Sequence, residues 1–234
     1  MESKRIIALI PARGGSKGIP RKNLALLGGI PLILHTIRAS LGSTLVTETW
    51  VSSDDQNILQ LAQDNGAFTL KRPQELSLDS SKAESVVNHF LDTLPQDIYN
   101  KNPIILYLQP TSPLRSATHI DLALTTMIDS NAQSLTSVCL LEKSPFKSFT
   151  IDDSGKLRAV FSVKMATSSR QCLPPCYITN GAIYAFHVFH YKHHGGFPLN
   201  GSIPFIMGPS ESIDIDDMLD LKKAENYYFL KCNG

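Results

Sequence analysis

A short loop near the N-terminus collects glycines and cations directly after an apolar run. Ile6–Ile10 predicts a strand, and residues 11–23 after it read PARGGSKGIPRKN. Glycine lets backbone N–H groups approach an anion closely, and the side chains of Arg13 and Lys17 can neutralise the charge of that anion. The loop therefore indicates a site for a triphosphate, with a tight solvated connection as the alternative.

The glycine spacing in this loop matches neither of the two best-known phosphate-binding patterns. The loop departs from G-x-x-x-x-G-K-[ST], and Gly14, Gly15 and Gly18 do not fit G-x-G-x-x-G. A dinucleotide-dependent oxidoreductase is a poor match for the same reason, since no acidic residue is clearly set to bind a ribose either.

Two aspartates near the C-terminus alternate with isoleucines. A period of two over Ile213–Asp216 sends Asp214 and Asp216 to one face and the isoleucines to the other. Two carboxylates on one face repel each other unless a cation lies between them, and oxygen ligands suit Mg²⁺. The alternative is that these acids stabilise the N-terminus of the helix predicted from Met218 onward.

Gln109 is a further polar candidate because it ends a predicted strand, where ligands gather in open α/β sheets. Its amide can both donate to and accept from polar groups of a ligand. Arg115 follows six residues later and either binds a carboxylate or phosphate or anchors the next helix.

Short apolar runs alternate with longer segments of helical period, which predicts an α/β fold with a mostly parallel central sheet. The predicted strands are Ile6–Ile10, Thr49–Ser52, Ile104–Gln109, Thr136–Leu140, Ala182–Phe186 and Ile203–Met207. The predicted helices are Leu32–Ser40, Gln56–Asn65, Glu84–Leu94, His119–Ser130 and Met218–Leu230. Capping boxes at Ser53–Gln56 and Ser81–Glu84 are expected to open the second and third helices. Beyond about Glu142 the rhythm loosens, and residues 150–164 predict a hairpin around Asp153–Lys156.

Composition limits the class of protein. At 234 residues, 42% of them hydrophobic, the chain fits one domain over residues 1–234. A formal net charge of +1 argues against nucleic-acid and membrane partners, so the loop cations form a local site. The chain has no run of about 18 apolar residues, and the apolar stretch after Arg5 is too short for the core of a signal peptide.

Cysteine and histidine usage adds two expectations. Four cysteines are sparse for a disulfide scaffold, and the spacing of Cys172 and Cys176 is not that of a zinc ribbon, so free thiols in the cytoplasm are expected. The histidines at 187, 190, 193 and 194 have no nearby carboxylate to complete a metal site, which favours a surface helix end or loop.

The N-terminal loop resembles the signature of the sugar-activating nucleotidyltransferases, and its SKGIPRKN ending resembles the CMP-sialic acid synthetases (acylneuraminate cytidylyltransferases). Four further blocks resemble the same family in the same order. They are KRPQEL at 71–76, LQPTSPLR at 108–115, RQCLP at 170–174 with NGAIY at 180–184, and SIDID at 212–216. Five blocks in order cover the chain from its first strand almost to its C-terminus.

This resemblance implies a single Rossmann-like nucleotidyltransferase domain and a reaction. The reaction transfers CMP from CTP to the anomeric hydroxyl of a nine-carbon acidic sugar, such as N-acetylneuraminic or legionaminic acid, and releases pyrophosphate. It also implies Mg²⁺ as cofactor and a homodimer, with an insertion around residues 143–178 that carries the dimer contact and reaches over the partner's sugar site.

The resemblance also assigns roles to individual residues. The implied catalytic residues are Arg13, Lys17, Asp214 and Asp216, and the last two are the implied metal ligands. The implied CTP-binding residues are Arg13, Gly14, Gly15, Ser16, Lys17, Lys22, Asn23 and Arg72. The implied sugar-binding residues are Gln109, Lys147, Arg170, Asn180 and Tyr184. The alternatives are a solvated cation at Lys22 and a simple turn at Asn180–Gly181.

The glycine pair of the loop departs from part of the family. Some sialic acid enzymes carry bulkier side chains at the positions of Gly14 and Gly15, and the glycines resemble relatives that act on legionaminic acid. The preferred acidic sugar is therefore open. The alternatives to the main reading are a cytidylyltransferase for the eight-carbon acid Kdo, a sugar-phosphate nucleotidyltransferase, and a catalytically silent nucleotide-binding subunit.

Overall fold

The computed structural model describes residues 5–232 and is built around a seven-stranded sheet with helices on both faces. The strands are β1 (Ile6–Pro11), β2 (Leu26–Leu27), β3 (Ile30–Pro31), β4 (Glu48–Ser53), β5 (Phe68–Lys71), β6 (Ile104–Tyr107), β7 (Ser134–Leu140), β8 (Phe149–Ile151), β9 (Leu157–Ala159), β10 (Tyr177–His187) and β11 (Ile203–Met207). The helices are α1 (Leu32–Leu41), α2 (Gln56–Asp64), α3 (Ala83–Leu91), α4 (Gln96–Asn100), α5 (Ala117–Asp129), α6 (Val163–Thr167), α7 (Val188–His194) and α8 (Met218–Cys232).

The order of strands brings several loops to one edge of the sheet. That order is β11-β7-β10-β6-β1-β4-β5, and only β10 runs antiparallel to its two neighbours. The carboxyl ends of β1, β4, β5, β6, β7 and β11 therefore all lie at the same edge, which is where open α/β sheets bind ligands. The basic loop after β1 and the residues after β5, β6 and β11 meet there.

The central strand explains why the sheet is covered on both faces. Ile7 and Leu9 of β1 pack with α3 and α7, whereas Ala8 and Ile10 pack with α1, α2 and α5. All four side chains are fully buried. A strand buried on both faces reads as a continuous apolar run, which is why β1 could be predicted from the sequence.

The predicted fold class is confirmed, and the structure adds elements to it. All six predicted strands and all five predicted helices are present, with ends that differ by a few residues. The two-residue strands β2 and β3 and the helices α4, α6 and α7 were not predicted. β5 was also missed, because it is a short edge strand whose Phe68 is exposed.

Both predicted capping boxes are wrong. Asp55 caps α2 by accepting from the backbone N–H groups of Asn57 and Ile58 at 2.7 and 3.3 Å, because Ser53 is still part of β4. The Ser81 hydroxyl donates to the carbonyl of Glu75 at 3.1 Å, which leaves α3 without a side-chain cap.

The excursion between β7 and β10 contains a hairpin, β8–β9, followed by α6. It lies within the predicted insertion around residues 143–178. Its apolar side chains are unusually open to solvent, at Phe149, Ile151, Leu157, Phe161 and Val163.

Among residues 5–232, no helix is both long enough and apolar enough to cross a membrane. Cys139, Cys172 and Cys176 are free thiols, and the side chain of Cys232 lies outside the described part of the chain. His190, His193 and His194 belong to α7, and His187 is buried just before that helix.

Candidate active site

A cleft of about 270 Å³ opens at the carboxyl edge of the sheet. Predicted residues that line it are Arg13, Gly15, Ser16, Lys22, Asn23, Arg72 and Gln109. Residues that line it without having been predicted include Asp79, Ser81, Lys82, Tyr107 and Thr111. The three segments that form the cleft, within residues 11–23, 72–86 and 107–111, are far apart in the sequence, so the sheet topology joins them.

The loop after β1 is held in shape by polar contacts with its neighbours. The side-chain amide of Asn23, which is nearly buried, donates to the carbonyl of Arg13 at 2.8 Å. The backbone N–H of Gly14 donates to Asp54 Oδ1 at 3.0 Å. The Gly14 N–H therefore fixes the loop to the residue that follows β4, and its predicted contact with the triphosphate stays a prediction.

The two cations of the loop share one carboxylate that sequence reasoning missed. Arg13 Nη1 lies 2.7 Å and Lys17 Nζ lies 3.2 Å from the carboxylate oxygens of Asp79. The hydrogen bond from Lys17, together with the charges of both cations, holds the pKa of Asp79 below its usual range. Asp79 thus occupies the position between the two cations that a phosphate group would need.

Asp79→Asn is expected to tighten the binding of inorganic tripolyphosphate by about three- to fivefold, because the anion no longer competes with a carboxylate for Arg13 and Lys17. Isothermal titration calorimetry measures the change. Asp92→Asn, at the exposed end of α3, removes the same charge away from the loop and serves as the control. Weaker binding by Asp79→Asn alone would mean that Asp79 orients the cations.

Arg72 follows β5 and presents an unsatisfied guanidinium to the cleft. The residue is 5% exposed, and its Nε and Nη2 atoms have no hydrogen-bond partner among the described residues. Asp54 Oδ1 is 3.9 Å from Nη2, beyond hydrogen-bond distance. Burial lowers the pKa of Arg72, with Asp54 opposing this effect. Since an unpaired buried donor is costly, Arg72 is prepared to bind an acceptor on a ligand.

The segment that carries the two predicted metal ligands is attached to the basic loop. Ile215 is fully buried, and its N–H donates to the carbonyl of Thr111 at 2.8 Å. Lys22 Nζ donates to the carbonyl of Ile215 at 2.7 Å and to Asp216 Oδ1 at 3.3 Å. Gly18 permits this close approach, because a Cβ atom there would lie 2.1 Å from the carbonyl oxygen of Asp216. The basic loop and the segment of the two carboxylates therefore adjoin one another.

The surroundings of Asp214 suit a cation. Loss of hydration raises the pKa of its carboxyl group, the charges of Asp216 and Asp220 raise it further, and the Thr111 hydroxyl and Lys22 oppose these effects. A bound cation would relieve the repulsion between Asp214 and Asp216. Among residues 5–232, no group of three or more His, Cys, Asp or Glu side chains is arranged around a common metal position. Two carboxylates nevertheless fit Mg²⁺, which keeps several waters and phosphate oxygens as its other ligands.

The alternative role for these acids, at the start of α8, is filled by other residues. Asp217 accepts from the N–H groups of Leu219 and Asp220 at 2.8 and 3.0 Å. Asp220 in turn accepts from the N–H of Asp216 at 3.2 Å. The carboxylates of Asp214 and Asp216 are therefore not what caps α8.

On the other side of the cleft, the side chain of Gln109 packs against the backbone of Gly181. Gly181 has φ +72°, and a Cβ atom there would lie 2.3 Å from Gln109 Oε1. Only glycine therefore allows the observed position of the Gln109 amide. Tyr184 is half-buried, and its ring lies 6.3 Å from the ring of Tyr107, its cross-strand partner. Burial is the main cause that raises the pKa of the Tyr184 phenol.

Three further cations and amides from the sequence motifs do not reach this cleft. Lys147 and Arg170 are exposed on the excursion between β7 and β10. Asn180 is 4% exposed, and its side chain is engaged within the protein. Their sugar-binding roles stay predictions.

The structure decides between the two roles that the sequence left open for Arg115, ligand binding and anchoring of a helix. Its guanidinium is buried and donates to the carbonyl of Ala182 at 2.6 Å and to Thr36 Oγ1 at 2.7 Å. Burial lowers the pKa of Arg115 to about 9. The residue anchors the loop after β6 to the sheet and to α1.

Comparison with known proteins identifies similar sequences and folds. The profile of the cytidylyltransferase family matches residues 7–189. The N-acylneuraminate cytidylyltransferase of Escherichia coli is 34% identical over 94% of this chain and 51% of its own length. The CMP-N,N'-diacetyllegionaminic acid synthase of Legionella pneumophila is 35% identical over 94% of this chain and 95% of its own length. The chain thus spans about half of the first relative and nearly all of the second.

Two solved structures share the fold. CMP:2-keto-3-deoxy-manno-octonic acid synthetase, complexed with CTP, aligns over 97% of this chain and 99% of its own, with a TM-score of 0.68 and 18% identity. The 4-diphosphocytidyl-2C-methyl-D-erythritol synthase of Anaerococcus prevotii aligns over 97% of this chain and 100% of its own, with a TM-score of 0.66 and 14% identity. At these identities the likeness establishes the nucleotidyltransferase fold.

Proposed function

The chain belongs to the cytidylyltransferase family, and from that membership we propose that it transfers CMP from CTP to the anomeric hydroxyl of a nine-carbon acidic sugar, releasing pyrophosphate. The observation that carries the proposal is the junction made by Lys22, which ties a cationic triphosphate loop to a pair of carboxylates at one sheet edge. Nucleotidyl transfer needs both kinds of group within one cleft.

The reaction is an in-line displacement at the α-phosphorus of CTP. The sugar hydroxyl oxygen forms a bond to the α-phosphorus, and the bond from that phosphorus to the oxygen bridging to the β-phosphate breaks. Pyrophosphate leaves with the bonding electron pair, and the hydroxyl proton passes to solvent or to the pyrophosphate. Arg13 and Lys17 exchange Asp79 for the β- and γ-phosphates and neutralise the charge that grows on the leaving group.

Arg72 supplies a donor to the nucleotide at the far wall of the cleft. Its Nε and Nη2, which have no hydrogen-bond partner among residues 5–232, would gain an acceptor when CTP is bound, which would offset the cost of their burial. Ser16, Lys22 and Asn23 complete this side of the cleft.

We assign Asp214 and Asp216 as the ligands of Mg²⁺. When bound, the ion would neutralise phosphate charge and acidify the attacking hydroxyl. The residues of this chain hold the site in position, because Thr111 and Lys22 secure Ile215 between the two carboxylates. Lys22 also offsets part of the negative charge of Asp216.

Gln109 and Tyr184 are the proposed contacts for the acidic sugar, and Gly181 leaves room for Gln109. Gly181→Ala is therefore expected to lower kcat/KM for the sugar about 10- to 100-fold with little change in KM for CTP, because Gln109 must move. Initial-rate kinetics at varied sugar and CTP measure both constants.

Gly201→Ala is the matched control for Gly181→Ala. Gly201 has a similar φ of +83° but open space around it, so the substitution introduces the same backbone strain without a clash in the cleft. Equal losses of kcat/KM for the sugar in the two variants would mean that Gly181 and Gln109 have no specific role in sugar binding.

We also propose that the excursion between β7 and β10 forms a homodimer contact. Ile151 and Leu157 of its hairpin are 73% and 71% exposed, which supports a covering partner. A second copy would bring Lys147 and Arg170 to a neighbouring cleft. Analytical ultracentrifugation tests this, and an active species that sediments at the mass of one 25.8 kDa chain would contradict it.

The proposed reaction is tested by pyrophosphate release from CTP and Mg²⁺ with N-acetylneuraminic, legionaminic and pseudaminic acids and Kdo. A blank without sugar and controls with ATP, GTP and UTP accompany each acid. We expect release with CTP and one nine-carbon acid. Release with Kdo alone would change the substrate class, and binding of CTP without release from any acid would favour a silent nucleotide-binding subunit.

A further inference from the structure

β10 is irregular where it passes the cleft. Thr179 pairs with Val138 and Tyr184 pairs with Thr136, so five steps along β10 correspond to two along β7. A bulge of this kind interrupts the ladder and leaves backbone groups in need of other partners. Asn180, buried at the start of the bulge, provides a partner for one of these groups, the N–H of Ala182.

The side-chain carbonyl of Asn180 is used within the sheet. Its Oδ1 accepts from the Ser137 hydroxyl at 2.5 Å and from the N–H of Ala182 at 3.2 Å. The Ser137 hydroxyl oxygen accepts in turn from the N–H of Ile183 at 2.7 Å. Both acceptor positions of the amide oxygen are thereby filled.

The remaining groups of Asn180 reach two segments of the candidate active site. Its Nδ2 donates to the Ser212 hydroxyl at 2.9 Å, two residues before Asp214. Its backbone carbonyl accepts from the Ser112 hydroxyl at 3.0 Å, three residues after Gln109. One buried residue therefore connects the sugar side of the cleft to the carboxylate segment.

We propose that Asn180 is a positioning residue for Asp214, acting through Ser212, rather than a contact for the sugar. The inference rests on the proposed function, since it concerns the carboxylate assigned to Mg²⁺. A sugar contact fits poorly because Asn180 is 4% exposed, its oxygen is saturated and its amide group already donates to Ser212.

The other attachments of the carboxylate segment show why this one matters. The bonds from Ile215 to Thr111 and from Lys22 to Ile215 both lie on the C-terminal side of Asp214. The bond from Asn180 to Ser212 secures the N-terminal side. The Ser212 N–H also donates to the carbonyl of Pro209 at 3.3 Å, so the bond from Asn180 is the one that fixes the Ser212 side chain rather than the backbone. Its loss is therefore expected to let the Asp214 carboxylate shift relative to the loop without unfolding the segment.

Ser212→Ala tests the inference by removing the acceptor while leaving Asn180 and the sheet intact. We expect its affinity for Mn²⁺ in the presence of CTP, measured by electron paramagnetic resonance, to fall about fivefold. The affinity for CTP without metal and the KM for the sugar are expected to stay within about twofold of wild type. Ser212→Thr keeps the hydroxyl and is expected to restore most of the Mn²⁺ affinity.

Ser134→Ala is the matched control, because Ser134 is a buried serine of β7 that donates to the carbonyl of Pro198 at 3.2 Å, away from Asn180. It is expected to leave Mn²⁺ affinity unchanged. Unchanged Mn²⁺ affinity in Ser212→Ala would overturn the inference. The inference would also be overturned by an Asn180→Ala variant that is shown by thermal melting to be folded, raises the KM for the sugar and leaves Mn²⁺ binding intact.

The Mn²⁺ measurement separates this inference from the proposed reaction. Wild-type protein that binds Mn²⁺ with CTP but releases no pyrophosphate with any acid would contradict the proposed function alone. Wild-type protein that binds CTP and no Mn²⁺ would overturn the metal assignment and this inference together.

Discussion

Replacing Asp214 by asparagine is expected to lower kcat about 10³-fold, equivalent to about 4 kcal/mol of transition-state stabilisation. The substitution preserves the size of the side chain and its hydrogen bond with Thr111, but it removes the charge that we propose holds Mg²⁺. The affinity for CTP in the absence of metal should remain near that of wild type. Single-turnover kinetics at saturating CTP and sugar, across a range of Mg²⁺ concentrations, measure the loss.

Asp217→Asn provides the control for the charge of this segment. Asp217 caps α8, and asparagine caps helices about as well as aspartate. Its kcat is expected to stay within about twofold of wild type. Near-normal turnover by Asp214→Asn at saturating Mg²⁺ would remove Asp214 from the metal site.

Arg13→Ala is expected to lower kcat/KM for CTP by about 10²- to 10³-fold. The guanidinium of Arg13 is about one-third exposed, so its charge is only partly screened by water. Its backbone carbonyl remains held by Asn23, which should preserve the shape of the loop. The loss should therefore appear in chemistry and triphosphate binding, not in the melting temperature.

Arg21→Ala tests whether position within the basic loop matters. Arg21 lies in the same loop but is 57% exposed and is 3.5 Å from Asp55, away from Asp79. Removal of this cation should change kcat/KM by less than about threefold, as is typical of exposed ion pairs. Similar losses in both variants would mean that the loop acts through its total charge alone.

Much of the fold could be predicted from the sequence, and individual strands show why. The continuous apolar runs of β1 and β6 require burial on both faces, and only the centre of a sheet offers that. β5 has no such run because it lies at the edge of the sheet. The capping boxes failed because Ser53 and Ser81 have the right residue type but hydrogen-bonding geometries set by β4 and by Glu75.

The candidate active site could be predicted where its residues are contiguous. Arg13 and Lys17 share a loop, and Asp214 and Asp216 share an alternating segment. Asp79 could not be found in this way, because its pairing with Arg13 depends on how the chain returns after β5. The sequence left Arg115 either as a ligand for a carboxylate or phosphate or as an anchor of the next helix, and only the packing shows that it donates to the carbonyl of Ala182. The role of Asn180 likewise depends on a β-bulge in β10 that no local sequence pattern predicts.

The attachment of Lys22 to Asp216 also orders events during protein synthesis. The two residues are separated by 194 positions, so a ribosome adding about 5–20 residues per second needs about 10–40 s to make the second after the first. The basic loop leaves the exit tunnel early, while its carboxylate partners emerge only after every strand of the sheet. The cleft beside the basic loop is therefore complete only after residues 107–111 have been made, and the proposed reaction requires residues 212–216 as well.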